Sequence, residues 1–258
     1  MVFDLQQAKQ FITTTGLPAK PEMFSVTAGM GVPALETAKA QSLVVGSNIM
    51  SFKTGVDAGA RQALTDSSLF AQLAAAKSIG NDPNPLAFFD AYFGTLVKIG
   101  WLIRQKETAE LSYTADALDV HEAMIGVITS FLSPITGAAV AVLAVLKGLQ
   151  KMSADTPFIT LFNSQRHHES VSRFQFTYVY ADEEQGLMAR AMAFVLETDT
   201  QLTQILFFKL QSGEMSLRRS EGVLSIDGNA LKALQPPLAA KMNAYREKYI
   251  AGVELDAV

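Results

Sequence analysis

Few residues of this chain combine the type and spacing that chemistry requires. Its three histidines are His121, His167 and His168. His167-His168-Glu169 is the cluster with ligand character, but adjacent residues on a strand point to opposite faces and cannot close on one metal. In a loop the same run is a solvated turn, so no metal site is expected. His121, beside Glu122, reads either as a helix-start residue or as a pH trigger whose protonation loosens the packing around it. Gly46-Ser47 lacks the G-x-S-x-G elbow of a serine nucleophile, and neither H-E-x-x-H nor a phosphate-binding loop occurs. Gly29-Met30-Gly31 is too short for a dinucleotide fingerprint and follows no predicted strand. Glu183-Glu184 falls in a predicted hairpin turn, where charge is usual. The chain contains no cysteine, which removes thiolate nucleophiles, disulfides, Cys-ligated zinc and palmitoylation together. These residues predict no enzyme, no metal and no cofactor.

Composition narrows the remaining classes. Apolar residues make up 49% of the 258 and charged ones 18%, against a usual charged share of about 25%. The excess of Ala, Val, Leu and Phe is spread along the chain, which excludes wholesale disorder. Net charge is −4 and the pI near 5.4. No basic run is longer than Arg218-Arg219. Counterion release needs clustered cations, so no nucleic-acid partner is expected, and attraction to anionic lipid is weak for the same reason. The N-terminus, MVFDLQQAKQFITTTG, has no basic region followed by an apolar core. The expectation is synthesis in the cytoplasm without a signal peptide, with any release by a signal-independent route.

The most distinctive stretch is AMIGVITSFLSPITGAAVAVLAVL, the 24 uncharged residues from Ala123 to Leu146. Its length matches a single crossing of a bilayer, but Ser133-Pro134 divides it into halves of about eleven residues and no Lys/Arg cluster flanks it. The segment is therefore either the buried central helix or hairpin of a bundle, or a membrane-inserting element stored inside one. In the second case Met124, Ile125, Val127, Ile128, Phe131, Leu132, Ile135, Val140, Val142, Leu143 and Leu146 are the side chains that enter lipid. In a third reading, Phe88, Phe93, Trp101, Phe176 and Met192 line a pocket for an apolar ligand between the sheet and two greasy helices.

The elements that must position these residues change character midway. Residues 1–152 read as a helical bundle and 153–258 as an antiparallel β region with a C-terminal helix. Asp4 to Thr14 carries one apolar face and stops before Gly16. Pro33 suits a first helical turn, and Ala34 to Phe52 reads as the helix that follows. Thr65 or Asp66 caps a helix closed by Gly80, Leu86 to Ile103 forms a second greasy helix, and the polar run Arg104 to Glu122 connects it to the 123–146 segment. Beyond Lys151 the period becomes two. Pro157 to Asn163 is short and β-like. Ser172 to Tyr180 places Phe174, Phe176, Tyr178 and Tyr180 on one face, with Arg173, Gln175 and Thr177 on the other. Asp182 to Gly186 turns, and Leu187 to Leu196 aligns Met188, Met192, Phe194 and Leu196. Leu202 to Leu210, Met215 to Arg219 and Val223 to Ile226 add further strands. Asp227 caps a last helix, broken or kinked at Pro236-Pro237, that runs to Gly252. The fold class expected is α+β, with an antiparallel sheet or sandwich of about four to six strands.

That order of parts resembles the bacterial helical pore-forming toxins, in which a helical domain with a hydrophobic central element precedes β-sheet modules. The resemblance covers the layout of residues 1–228 and rests on no shared motif. It implies a soluble bacterial protein that interacts with membranes, a toxin or virulence factor that inserts residues 123–146 into lipid. The alternative is a non-enzymatic binder or carrier of an apolar ligand such as a fatty acid or lipid. Partners expected are membrane lipid or an apolar small molecule, with a protein partner or a second copy of the chain also open.

Overall fold

The computed structural model describes residues 3–18, 33–80, 84, 86–114, 118–151, 167–168, 171–198, 209–210 and 214–253. In chain order the elements are α1 (Leu5–Thr14), β1 (Gln41–Val45), β2 (Asn48–Phe52), α2 (Ala58–Ile79), α3 (Ala87–Lys98), β3 (Leu102–Thr114) and β4 (Leu118–Asp119). Then follow α4 (Val120–Leu132), α5 (Ala138–Lys151), β5 (His167–His168), β6 (Val171–Asp182), β7 (Gly186–Thr198), β8 (Lys209–Leu210), β9 (Glu214–Ile226), α6 (Gly228–Tyr249) and β10 (Ile250–Val253). The class is α+β, as expected.

One mixed sheet organises the molecule, in the order β10-β1-β2-β6-β7-β9-β3, with β5 also on β6 and β4–β8 forming a separate ribbon. An all-antiparallel sheet was expected. The β2–β6 pair is instead parallel, Asn48 opposite Gln175 through Phe52 opposite Val179. The sheet takes strands from both sides of residue 152. Pleating sends alternate side chains to two separate cores. Leu43, Val45, Met50, Phe52, Val179 and Ala189 face α1, α2, α3 and α6, while Val44, Ile49, Phe174, Phe176, Met192 and Phe194 face α4 and α5.

Two segments, one predicted as a helix and one as a polar connection, form strands. The helix expected over Ala34 to Phe52 is the β1–β2 hairpin, turned by Gly46 and Ser47 with Val45 opposite Asn48. Gly46 has φ +59, and a Cβ there would stand 2.5 Å from Gln72 Oε1, so glycine is required on both counts. The polar connection expected over Arg104 to Glu122 is largely β3, paired with β9 from Leu102–Ser225 to Thr114–Glu214 with a bulge at Arg104. The N-terminal half is therefore no pure bundle. The helix capped at Thr65 or Asp66 begins earlier, at Asp57, whose carboxylate accepts from Ala60 N–H at 3.0 Å. α3 ends at Lys98, short of the predicted Ile103.

The second half is closer to expectation. Met215–Arg219 and Val223–Ile226 are one strand, β9. Asp227 caps α6 by accepting from Asn229 and Ala230 N–H, and the helix continues through Pro236-Pro237 to Tyr249 before Ile250–Val253 joins the sheet beside β1. Pro157 to Asn163 and Leu202 to Phe208 lie outside the described residues.

α2 is the helix at the centre of the larger core, and its buried polar groups are matched rather than avoided. Gln72 donates to Val45 O at 2.8 Å and accepts from Ser47 N–H at 2.9 Å; Ser68 accepts from Asn48 Nδ2 at 3.0 Å. Asp66, with 0% side-chain exposure, is held by Arg246 of α6, Nε to Oδ1 at 2.9 Å. Burial pushes the Asp66 carboxyl up, against the Arg246 guanidinium, which pulls it down.

Candidate membrane interface

The 123–146 segment folds as a helical hairpin that breaks where Ser133-Pro134 predicts. Pro134 has no N–H to give, Ser133 Oγ donates back to Ser130 O at 2.8 Å, and Gly137, at φ +80, starts the return into α5. The hairpin forms the second face's whole described helical layer. Its inner stripe is Met124, Ile128, Leu132, Ala138, Val142, Val145 and Leu146, each at most 3% exposed. The spacings of three and four are those of one helical face. Opposite them lie Val44, Ile49, Phe174, Phe176, Tyr178, Met192, Phe194, Leu196 and Leu217. The aromatic face predicted from Phe174 to Tyr180 is thus packed against the hairpin, with Tyr180 at its margin. Phe174 stacks on Phe194 at 5.1 Å and Phe176 meets Phe194 edge-on at 6.1 Å.

The remaining insertion candidates lie on the flanks and the outside. Ile125, Val127, Phe131, Ile135 and Leu143 are half-buried at the hairpin's borders, and Val140 is 72% exposed. Gly126, Ser130, Ser133, Pro134, Thr136 and Gly137 complete an outer surface that carries no charge before Lys147. Among the described residues no helix is long and apolar enough to cross a membrane. At 1.5 Å per residue the 13 residues of α4 and 14 of α5 reach about 20 Å each, short of the ~30 Å hydrocarbon core.

A charged residue that the sequence reading passed over ties this layer down. Arg190 stands on the hairpin face of β7, between Met188 and Met192, and its Nη1 donates to Phe131 O at 2.7 Å. Its guanidinium also lies 5.2 Å from the Phe131 ring centroid. Phe131 belongs to the last turn of α4, so the cation meets the negative end of the helix. Its Nε has no hydrogen-bond partner. The signal in the sequence was a gap: the even positions 188, 192, 194 and 196 are apolar, and 190 is arginine.

Farther along the same face, Arg219 Nη1 and Glu221 Oε2 are 3.7 Å apart, and neither Arg219 Nε nor Glu221 Oε2 finds a hydrogen bond. Burial pushes the Glu221 carboxyl up; Arg219 pulls it down, Glu107 adds to the rise and Arg190 opposes it. An acid with a raised folded pKa gains stability as pH falls through that value, so neither Glu221 nor Asp66 loosens the fold on acidification. His121 opens the first turn of α4, and its side chain is outside the described set.

The five residues nominated for an apolar ligand do not meet in one pocket. Phe88, Phe93 and Trp101 belong to the core beneath α2 and α3, whereas Phe176 and Met192 face the hairpin across the sheet. Trp101 borders a cavity of about 20 Å³, and Phe176 and Met192 one of about 10 Å³. Either holds a water molecule at most, where small-molecule sites measure roughly 300–1,000 Å³. A hollow of about 370 Å³ lies among Pro33, Leu35, Gln62, Asn243 and Arg246, away from all five. Among the described residues, no group of three His, Asp or Glu side chains is placed to hold a metal.

No family model matches the chain, and no curated protein matches it in sequence. Solved structures do resemble it. A delta-endotoxin aligns with TM-score 0.42 and 17% identity, over 82% of this chain and 91% of the toxin. The activated Cyt2Ba monomer from Bacillus thuringiensis subsp. israelensis aligns with TM-score 0.29 and 13% identity, over 61% of this chain and 93% of that one. The Evf virulence factor aligns with TM-score 0.29 and 10% identity, over 82% and 85%. All three TM-scores are below 0.5.

Proposed function

We propose that this protein is a non-enzymatic, membrane-active bacterial protein, a toxin or virulence factor that works by unmasking the α4–α5 hairpin. The observation that supports this reading is the hairpin's place in the fold. It is a helical pair, uncharged from Ala123 to Leu146, that covers one face of the sheet, while the other face keeps its own core with α1, α2, α3 and α6. Lifting it leaves the larger core in place. In water the cost is high: the six large side chains of the inner stripe are each worth about 1.5–3 kcal/mol, so exposing them costs roughly 9–18 kcal/mol. Lipid offsets this by replacing the sheet as the apolar surroundings of the stripe. The two short helices suit entry into one leaflet as a pair rather than a crossing as single helices.

The direct test is release of dye from loaded liposomes, paired with flotation of the protein on a density gradient, at pH 7 and pH 5. Leakage with co-flotation at either pH is expected. Neither signal at either pH would remove the proposal.

A further inference from the structure

The sheet ends at β3, and the exposed strand there is complementary to itself. Among the described residues nothing pairs with the outer side of β3, although the strand is 13 residues long. Arg104 to Thr108 and Glu110 are exposed, and Leu102 is 60% exposed. A long open edge presents a row of free peptide groups to any second strand. We propose that β3 is an interface between two copies of this chain, pairing antiparallel with the partner's β3 about a two-fold axis at Thr108.

The register follows from peptide geometry and charge. Only alternate residues of an edge strand turn their N–H and C=O outward, so a two-fold axis between identical antiparallel strands must pass through a residue, not between two. Centring on Lys106 sets lysine against lysine, and centring on Glu107 sets glutamate against glutamate; like charges directly opposite are destabilising. Centring on Ala109 makes no opposite-charge pair. Centring on Thr108 pairs the regular stretch beyond the bulge at Arg104, Gln105 against the partner's Leu111, with threonine facing threonine and Lys106 facing the partner's Glu110 on both sides of the axis.

The charges around that axis are reachable and alternate in sign. The side chains of Lys106 and Glu110 are 33% and 51% exposed; Lys106 already meets Asp90 at 2.6 Å and Glu110 meets Arg218 at 3.2 Å. Pairing extends each into a row of four: Asp90, Lys106, the partner's Glu110, the partner's Arg218. Like charges approach only diagonally, at Glu107 and the partner's Glu107, and each of these accepts from its own Gln105 at 2.6 Å.

The cysteine-free chain makes a clean test possible. Directly opposite Cα atoms of an antiparallel pair are about 4.5–5.5 Å apart, inside the range of about 4.4–6.8 Å that a disulfide bridges. Thr108→Cys should convert under mild oxidation to a covalent dimer on a non-reducing gel, while Val140→Cys, exposed on the hairpin, stays monomeric. In sedimentation equilibrium the unmodified protein should be dimeric at high micromolar concentration. Lys106→Glu and Glu110→Lys should each be monomeric, and an equimolar mixture of the two should dimerise, because it places opposite signs across both pairs. A monomeric unmodified protein, or Thr108→Cys cross-linking no faster than Val140→Cys, overturns the proposal. Vesicle activity is a separate readout, so losing this interface and losing the membrane reading are distinguishable.

Discussion

Removing Arg190 should release the hairpin without unfolding the rest. Arg190→Ala deletes the 2.7 Å bond to Phe131 O and the contact of the guanidinium with the Phe131 ring. A hydrogen bond from a charged donor is worth about 1.5–3 kcal/mol and a cation–π contact about 0.5–1 kcal/mol. The sum is about 2–4 kcal/mol. Part of it is returned, because Arg190 Nε is buried without a partner and that desolvation is relieved on substitution. Arg190→Met separates the two: it keeps the buried stem, removes the unpaired nitrogen and should cost less than alanine. Amide hydrogen exchange is the assay, because it reads opening free energy element by element. At 1.4 kcal/mol per decade, a loss of ~2–4 kcal/mol speeds exchange in α4 and α5 by about 30- to 700-fold if opening is local. Protection in α2 and α6 should hardly change, and liposome leakage should rise. An equal fall of protection in α2, α6 and the hairpin would show that the molecule opens as one unit. Unchanged protection in α4 and α5 would show that Arg190 does not restrain them.

Three other substitutions probe separate parts of the fold. Gly137→Asp with Ala141→Asp should cost about 1–2 kcal/mol at Gly137, whose φ of +80 strains any side chain, yet leave the protein folded, because a Cβ there meets nothing within 4 Å and Ala141 is only half-buried. Vesicle leakage should be lost, since two carboxylates would have to enter lipid; a folded, fully active variant would mean that 123–146 does not act on membranes. Arg61→Lys should be strongly destabilising. Arg61 is 0% exposed and donates to Val56 O, Gln41 Oε1, Lys39 O and Lys53 O at 2.8–2.9 Å, a set a lysine cannot satisfy. A loss of about 3 kcal/mol or more is expected in urea unfolding, and a change below ~1 kcal/mol would refute the reasoning. Glu221→Gln should raise Tm at pH 7, with the gain shrinking toward pH 4. The Glu221 carboxyl titrates above its ordinary value in the folded state, so its ionisation costs stability at neutral pH and protonation returns it as pH falls. A gain that is constant with pH, or larger in acid, would contradict this.

Legibility in the sequence tracked how differently an element's two faces are solvated. β6 and β7 stood out because each has an aromatic or Met face and an opposite face of Arg173, Gln175 and Thr177, or of alanines. The hairpin stood out for its lack of charge, and its break for Pro134. β1 and β2 are buried on both faces, so no period of two appears in QSLVVGSNIMSF, and an apolar run of that length reads equally as helix. The usable signal was local: two short, largely apolar runs, with Val44, Val45 and Ile49 β-branched, on either side of Gly46-Ser47. β3 failed for the opposite reason. As the edge of the described sheet it is exposed over most of Leu102 to Glu110, so RQKET has no apolar side to alternate with and looks like a connection.

What the sequence could not carry was the pairing between distant segments. The parallel β2–β6 contact and the return of β10 beside β1 join residues more than a hundred positions apart, and no local pattern specifies either. Those two pairings separate the cores. β2 beside β6 puts Val44 and Ile49 next to the Phe174–Phe176 face, which widens the floor on which the hairpin rests. The same strands send Val45 and Met50 to the α2 side, so the sheet has a second core on the face away from the hairpin. A single helix of 24 apolar residues buried in a bundle would have no such independence, because withdrawing it would empty the bundle's centre. The break at Ser133-Pro134 and the two-sided sheet together turn an uncharged segment from the keystone of a core into a cover over one.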